Sequence, residues 1–90
     1  MERSLAIAAD HPAYAGHFPG NPLLPGVVLL AEAMAALGAA RHTIDAAKFL
    51  APVTPGTPLT LRDEATSSGG LRLAIESPAG LVATATLSPP

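Results

Sequence analysis

Apolar and polar positions change rhythm along this chain. From residue 59 onward they alternate with a period of two in LTLRDEAT (59–66), LRLAIES (71–77) and LVATATLS (81–88), most clearly at Leu71, Leu73 and Ile75. SSGG (67–70) and SPAG (77–80) lie between these runs and supply turn-forming residues. The pattern predicts three strands of an antiparallel meander. SLAIAA (Ser4–Ala9) is a short apolar run that predicts another strand near the start. The next stretch, DHPAYAGHFPGNPLLPG, holds four Pro and three Gly. Proline fixes φ and removes a donor, so this stretch reads as an ordered loop. VVLLAEAMAALGAAR (27–41) is rich in helix formers and apolar almost all the way round, which predicts a helix buried on most sides. Pro25 suits its start, Gly38 is a weak point, and Arg41 suits the negative end of its dipole. Thr43 to Leu50 then brings Ile44, Phe49 and Leu50 around Lys48, and APVTPGTP (51–58) breaks the chain.

The plan is a strand, a long loop, a helix and about four antiparallel strands: an α+β arrangement with one helix against a sheet. One helix cannot cover both faces of such a sheet. Two copies side by side would pair edge strands and bury their helices together. Composition sharpens that expectation. Ninety residues make one domain, 1–90, and a domain this small buries only about 60–65% of its unfolded surface. Yet 49% of the residues are hydrophobic, which favours a partner interface.

Charge and residue types then exclude several classes of function. The net charge is −2 with no basic run, and the aromatics are only Tyr14, Phe18 and Phe49, so nucleic acid is not an expected partner. There is no Cys, which suits a cytoplasmic location, and the three His have no paired metal spacing. Val27 to Ala40 is too short to insert in a membrane and carries Glu32 in its middle. No targeting segment is apparent.

The chemistry concentrates in residues 11–36. His17 lies in AGHFPGNP, a loop that Pro19 and Pro22 stiffen, and an imidazole can take a proton at neutral pH. The alternative is a structural His bonded to a loop carbonyl. Pro25-Gly26 opens the helix, where unpaired backbone N–H groups can hold a thioester carbonyl as it becomes enolate-like. Ordinary loop-to-helix punctuation explains it equally well. Glu32 is the only ionisable residue between His17 and Arg41. A carboxylic acid in an apolar setting can protonate a leaving hydroxyl; the alternative is a helix edge that touches water. Together the three suit removal of a proton α to a thioester carbonyl and loss of water from the β-carbon. Asp10 and His11 precede the loop and could orient it, with solvated loop residues the better reading; Phe49 could line a substrate tunnel, with core packing the better reading.

GHFPGNPLLPGVVLL followed by EAMAA resembles the β-hydroxyacyl-ACP dehydratases of bacterial fatty-acid synthesis, which are hotdog-fold proteins. KFLAPVTPGTPL (48–59) resembles a second motif of that family, so the likeness covers most of the chain. The short length and DHPAYAGHFPG look more like compact relatives from aryl-polyene and similar polyketide-type pathways. The resemblance implies a helix wrapped by an antiparallel sheet, dimerised through a continuous sheet, with the active site at the dimer interface. It implies a catalytic pair of His17 from one subunit and the helix acid, Glu32, from the other, with Gly26 as backbone donor. It implies an acyl tunnel near Phe18, Pro25 and Val27, and a substrate held on the phosphopantetheine of an acyl carrier protein. No cofactor or metal is implied. The partner subunit is a second copy or a paralogous hotdog chain.

One feature departs from the family. Its helix acid follows the histidine by fourteen residues, a position filled here by Ala31; Glu32 comes one later. One residue turns a side chain by about 100° around a helix. A π-bulge or a later helix start would restore Glu32, water or another group could replace it, or a paralogous partner could supply the acid. Two competing functions follow: a pseudo-dehydratase subunit that completes a heterodimer, and a hotdog acyl thioesterase, against which the HFPG loop argues.

Overall fold

The computed structural model describes residues 1–15 and 23–90. Strands β1 (Glu2–Leu5), β2 (Thr43–Phe49), β3 (Leu59–Ala65), β4 (Leu71–Ser77) and β5 (Gly80–Ser88) form one sheet, with helix α1 (Gly26–Ala36) between β1 and β2 in the chain. Their order across the sheet is β1-β3-β4-β5-β2, and every pairing is antiparallel. The meander predicted from the period-two runs is thus present. Thr43 to Phe49 crosses over to the far edge beside β5.

The register explains which side chains go inside. Leu61 pairs with Ile75 and Ile75 with Ala83, while Leu73 pairs with Ala85 and Leu71 with Leu87, so one face is apolar except at Asp63, which pairs with Leu73. Leu61, Leu73 and Ile75 are almost wholly buried there, in one cluster with Leu29, Leu30, Ala33 and Met34 of α1. The opposite face carries charge. Arg72 meets Glu64 at 2.9 Å, and Arg62 lies 3.7 Å from Glu2 and 3.5 Å from Glu76. Each of these exposed pairs is worth about 0–1 kcal/mol, so the apolar face holds the sheet together.

Three expectations need correction. The first strand covers Glu2–Leu5, not Ser4–Ala9, because its pairing with β3 ends at Leu5 and Leu59. Pro58, the residue before, has no N–H to continue the ladder. The helix stops at Ala36, well before Arg41. Gly38 adopts φ 69°, its N–H bonds Ala35 O at 3.1 Å, and the Ala39 N–H bonds Met34 O at 2.7 Å. This is a Schellman termination, so Gly38 ends the helix and does not merely weaken it. Arg3 of β1 donates to Ala36 O at 3.1 Å and takes the cationic role expected of Arg41.

The third correction concerns burial. The helix is not covered on most sides: Val27 is 72% exposed, and Ala31 and Ala35 are exposed too. Spaced by four, these residues form one stripe. All seven residues of β2 are exposed, and among the described residues β2 bonds a strand on one side only. Among the described residues, no helix is long and apolar enough to cross a membrane.

Candidate active site

The start of α1 is built by Pro25. Its fixed φ of −58° sets the chain up for the first turn, and its carbonyl accepts from Val28 N–H at 3.0 Å and Leu29 N–H at 3.1 Å. No side chain among the described residues caps this end. Among the described residues, nothing accepts from the Gly26 N–H. A free donor at a helix start carries positive partial charge and suits a developing oxyanion. Beside it lies a cavity of about 470 Å³, lined by Leu24, Pro25, Gly26, Leu29, Phe49 and Val53 among others. Val53 holds the adjoining chain in place, its carbonyl accepting from Leu24 N–H at 2.9 Å.

Phe49 is not a core residue, as the sequence suggested. It is 46% exposed at the end of the edge strand β2. Its ring lies against Gly26, where a Cβ would come within 2.8 Å of it. Glycine at position 26 therefore leaves room for the ring against the backbone. Pro25 and Gly26 line this cavity, and Val27 does not. It lies on the open stripe of α1. His17 and Phe18 lie outside the described residues.

Glu32 is neither in that cavity nor free in water. Its Oε1 lies 2.9 Å from Nε2 of His11, with side-chain exposures of 41% for Glu32 and 22% for His11. His11 precedes a 3-10 turn, Pro12–Tyr14, and its Nδ1 accepts from the Ala13 N–H at 3.0 Å. A donor aimed at Nδ1 leaves the ring proton on Nε2, which donates to Glu32. The expectation of a solvated His11 is therefore wrong: the ring caps its own turn and bonds the helix. Two signals for this were present in the sequence. An N-cap position just before Pro12 selects a side chain that accepts, and a lone carboxylate on an apolar helix needs a partner.

The helix is regular from Gly26 to Ala36. No π-bulge interrupts it, and Ala31, fourteen residues after His17 in the sequence, lies on the open stripe. Tyr14, at the end of the 3-10 turn, is buried, and burial pushes its phenol above the usual value. A recess of about 650 Å³ on the sheet's charged face, among Glu2, Arg62, Glu64 and Arg72, shares no residue with the Gly26 cavity. Among the described residues, no three His, Asp or Glu side chains come together as metal ligands.

Comparison with known proteins puts this geometry in context. A family model described as ApeI-like, ApeI dehydratase, matches residues 1–85. The 3-hydroxyacyl-[acyl-carrier-protein] dehydratase FabZ of Haemophilus influenzae is 39% identical over 69 residues, covering 61% of this chain and 47% of that protein. FabZ of Bartonella bacilliformis is 43% identical over 65 residues, covering 56% of this chain and 42% of that protein. The chain thus spans about half the length of the curated relatives it matches. Among solved structures, the dehydratase heterocomplex ApeI:P from Xenorhabdus doucetiae matches with a TM-score of 0.80 at 23% identity, covering 97% of this chain and 83% of that one. That likeness shows the fold, the α+β hotdog arrangement anticipated from the sequence.

Proposed function

Since this chain belongs to the ApeI-like dehydratase family, we propose that it dehydrates 3-hydroxyacyl thioesters on an acyl carrier protein to trans-2-enoyl thioesters. The observation that carries this reading is the uncapped start of α1, where the Gly26 N–H opens beside an apolar cavity of about 470 Å³. Such a slot suits an acyl chain with its thioester carbonyl at the donor. His17 takes the proton from the α-carbon, and the electron pair forms the double bond. The β-carbon–oxygen bond breaks, and a carboxylic acid gives its proton to the departing hydroxide, which leaves as water. The acyl group arrives on phosphopantetheine, and the reaction calls for no metal or nucleotide. A cysteine-free chain suits a reducing compartment such as the cytoplasm.

The carboxylic acid comes from across a subunit contact in this reading. It is either Glu32 of a second copy or an acid on a paralogous hotdog chain. One observation favours the second source: Glu32 already has a partner in its own chain, while the helix phase of the family acid is occupied by Ala31. The similar ApeI:P complex is itself a heterocomplex. A 3-hydroxyacyl-carrier-protein substrate is offered to this chain alone and to its mixture with such a paralogue, with loss of water followed by mass spectrometry. Water loss that falls by about 10²-fold or more in His17→Ala is expected, since removing a general base has an effect of that order. Release of free thiol without water loss would make the protein a thioesterase. No turnover in either setting would remove the dehydratase reading.

A further inference from the structure

His11 and Glu32 stand 21 residues apart in the chain and meet through one hydrogen bond of 2.9 Å. We infer that His11 is a positioning residue, which pins the Pro12–Tyr14 turn to α1 through Glu32 and so holds Ala15, two residues before His17 in the sequence, in place. The inference rests on the dehydratase reading above and decides where the acid of that reading comes from.

Three observations carry it. First, the ring is used at both nitrogens. Nδ1 accepts from Ala13 N–H at 3.0 Å and Nε2 donates to Glu32, so the imidazole is fixed in one tautomer and one orientation. Second, both side chains are partly withdrawn from water, where such a bond is worth more than on an open surface. Third, the turn is otherwise anchored by packing: Tyr14 lies in the core, but no other side-chain hydrogen bond among those described joins the turn to α1. Packing sets depth, and the His11–Glu32 bond adds a direction. What this joint needs from residue 32 is an acceptor oxygen, not a transferable proton.

That difference supplies the test. The wild-type chain and its variants are assayed for water loss as above, under whichever condition the wild type is active, and kcat is separated from KM. His11→Asn keeps an N-cap acceptor for the turn but is too short to reach Glu32, so it removes the tether and spares the cap. It is expected to lower kcat by about tenfold with little change in KM, the size expected from losing one hydrogen bond to a charged group. Glu32→Gln keeps an acceptor and is expected to stay within about threefold of wild type. Glu32→Ala should match His11→Asn, and the double variant should be no worse than either single one. A loss of about 10²-fold or more in Glu32→Gln, with His11→Asn unaffected, would overturn the inference and make Glu32 the proton donor. Additive losses would also overturn it.

A second readout needs no catalysis. Nitrogen NMR of the folded chain should show the His11 ring proton on Nε2, and a mixture of tautomers in Glu32→Ala. A wild-type proton on Nδ1 would overturn the pair even in an active enzyme. A pair seen by NMR in a chain that dehydrates nothing would leave the joint standing and remove only the dehydratase reading.

Discussion

Strands β4 and β2 belong to the same sheet and are equally long, seven residues each. In β4, Leu73 and Ile75 are almost fully buried; in β2, every residue is exposed, Ile44 and Phe49 among them. The two sides of α1 differ in the same way. Leu29, Leu30, Ala33 and Met34 pack on the sheet, whereas Val27, Ala31 and Ala35 face outward. The difference separates two tasks. One region closes on itself and gives the chain its fold. The other leaves apolar side chains and an open sheet edge beside the start of the helix, as a site completed by a second chain would require.

If this division is right, substitutions should sort by region. The largest effect on stability is expected at Ile75, 0% exposed in the central strand. Ile75→Ala should lower the unfolding free energy by about 2–5 kcal/mol in a urea titration. Ile44→Ala at the edge should change it by no more than about 0.5 kcal/mol in the separated chain. Equal losses at the two positions would break the comparison. Gly70 comes next. A Cβ there would sit 2.1 Å from Leu87 O, a backbone atom that cannot rotate away. Gly70→Ala should therefore cost about 1–3 kcal/mol in the same titration.

Gly26 tests the boundary between the regions, because it belongs to the helix and faces a ring of the open edge. A methyl group at 26 would meet the Phe49 ring at 2.8 Å. The ring stands at an exposed strand end and can swing out, so Gly26→Ala should cost only about 1 kcal/mol and Phe49→Ala should restore the loss. Water loss by Gly26→Ala should stay low even in that double variant, since the methyl still crowds the backbone donor. Full recovery of turnover would show that the open backbone at 26 is not needed.

How much of this was legible beforehand follows the same division. The meander was legible because a half-buried strand writes its two faces directly into a period-two pattern, as at Leu71, Leu73 and Ile75. The Pro25-Gly26 helix start was legible because proline and glycine act on their own backbone. What the sequence hid depends on neighbours far along the chain. Phe49 looks like a core residue by type, and only the placement of β2 at the sheet edge exposes it. The open stripe of α1 was hidden because Ala and Val read as apolar whether or not anything covers them. His11 looked solvated until the fold brought Glu32 to its ring from 21 residues away. The lone carboxylate signalled that a partner was needed, but not which one.

The smallest effect on the fold is expected at Val27, and it sharpens the comparison most. At 72% exposed, it contributes little to the core of the single chain. Val27→Glu also replaces a β-branched residue by a better helix former near the positive end of α1. Stability measured in dilute solution should stay within about 0.5 kcal/mol of wild type. At high concentration the same change places a charge in the stripe that Val27 shares with Ala31 and Ala35. If a second chain covers that stripe, the wild-type assembly should fall apart into single chains in sedimentation experiments, and activity that depends on the contact should fall with it. A variant with unchanged size and activity would mean that the stripe faces water in the working protein, and the division between a closed and an open region would lose its functional meaning. A variant that unfolds in dilute solution would mean that Val27 belongs to the core after all.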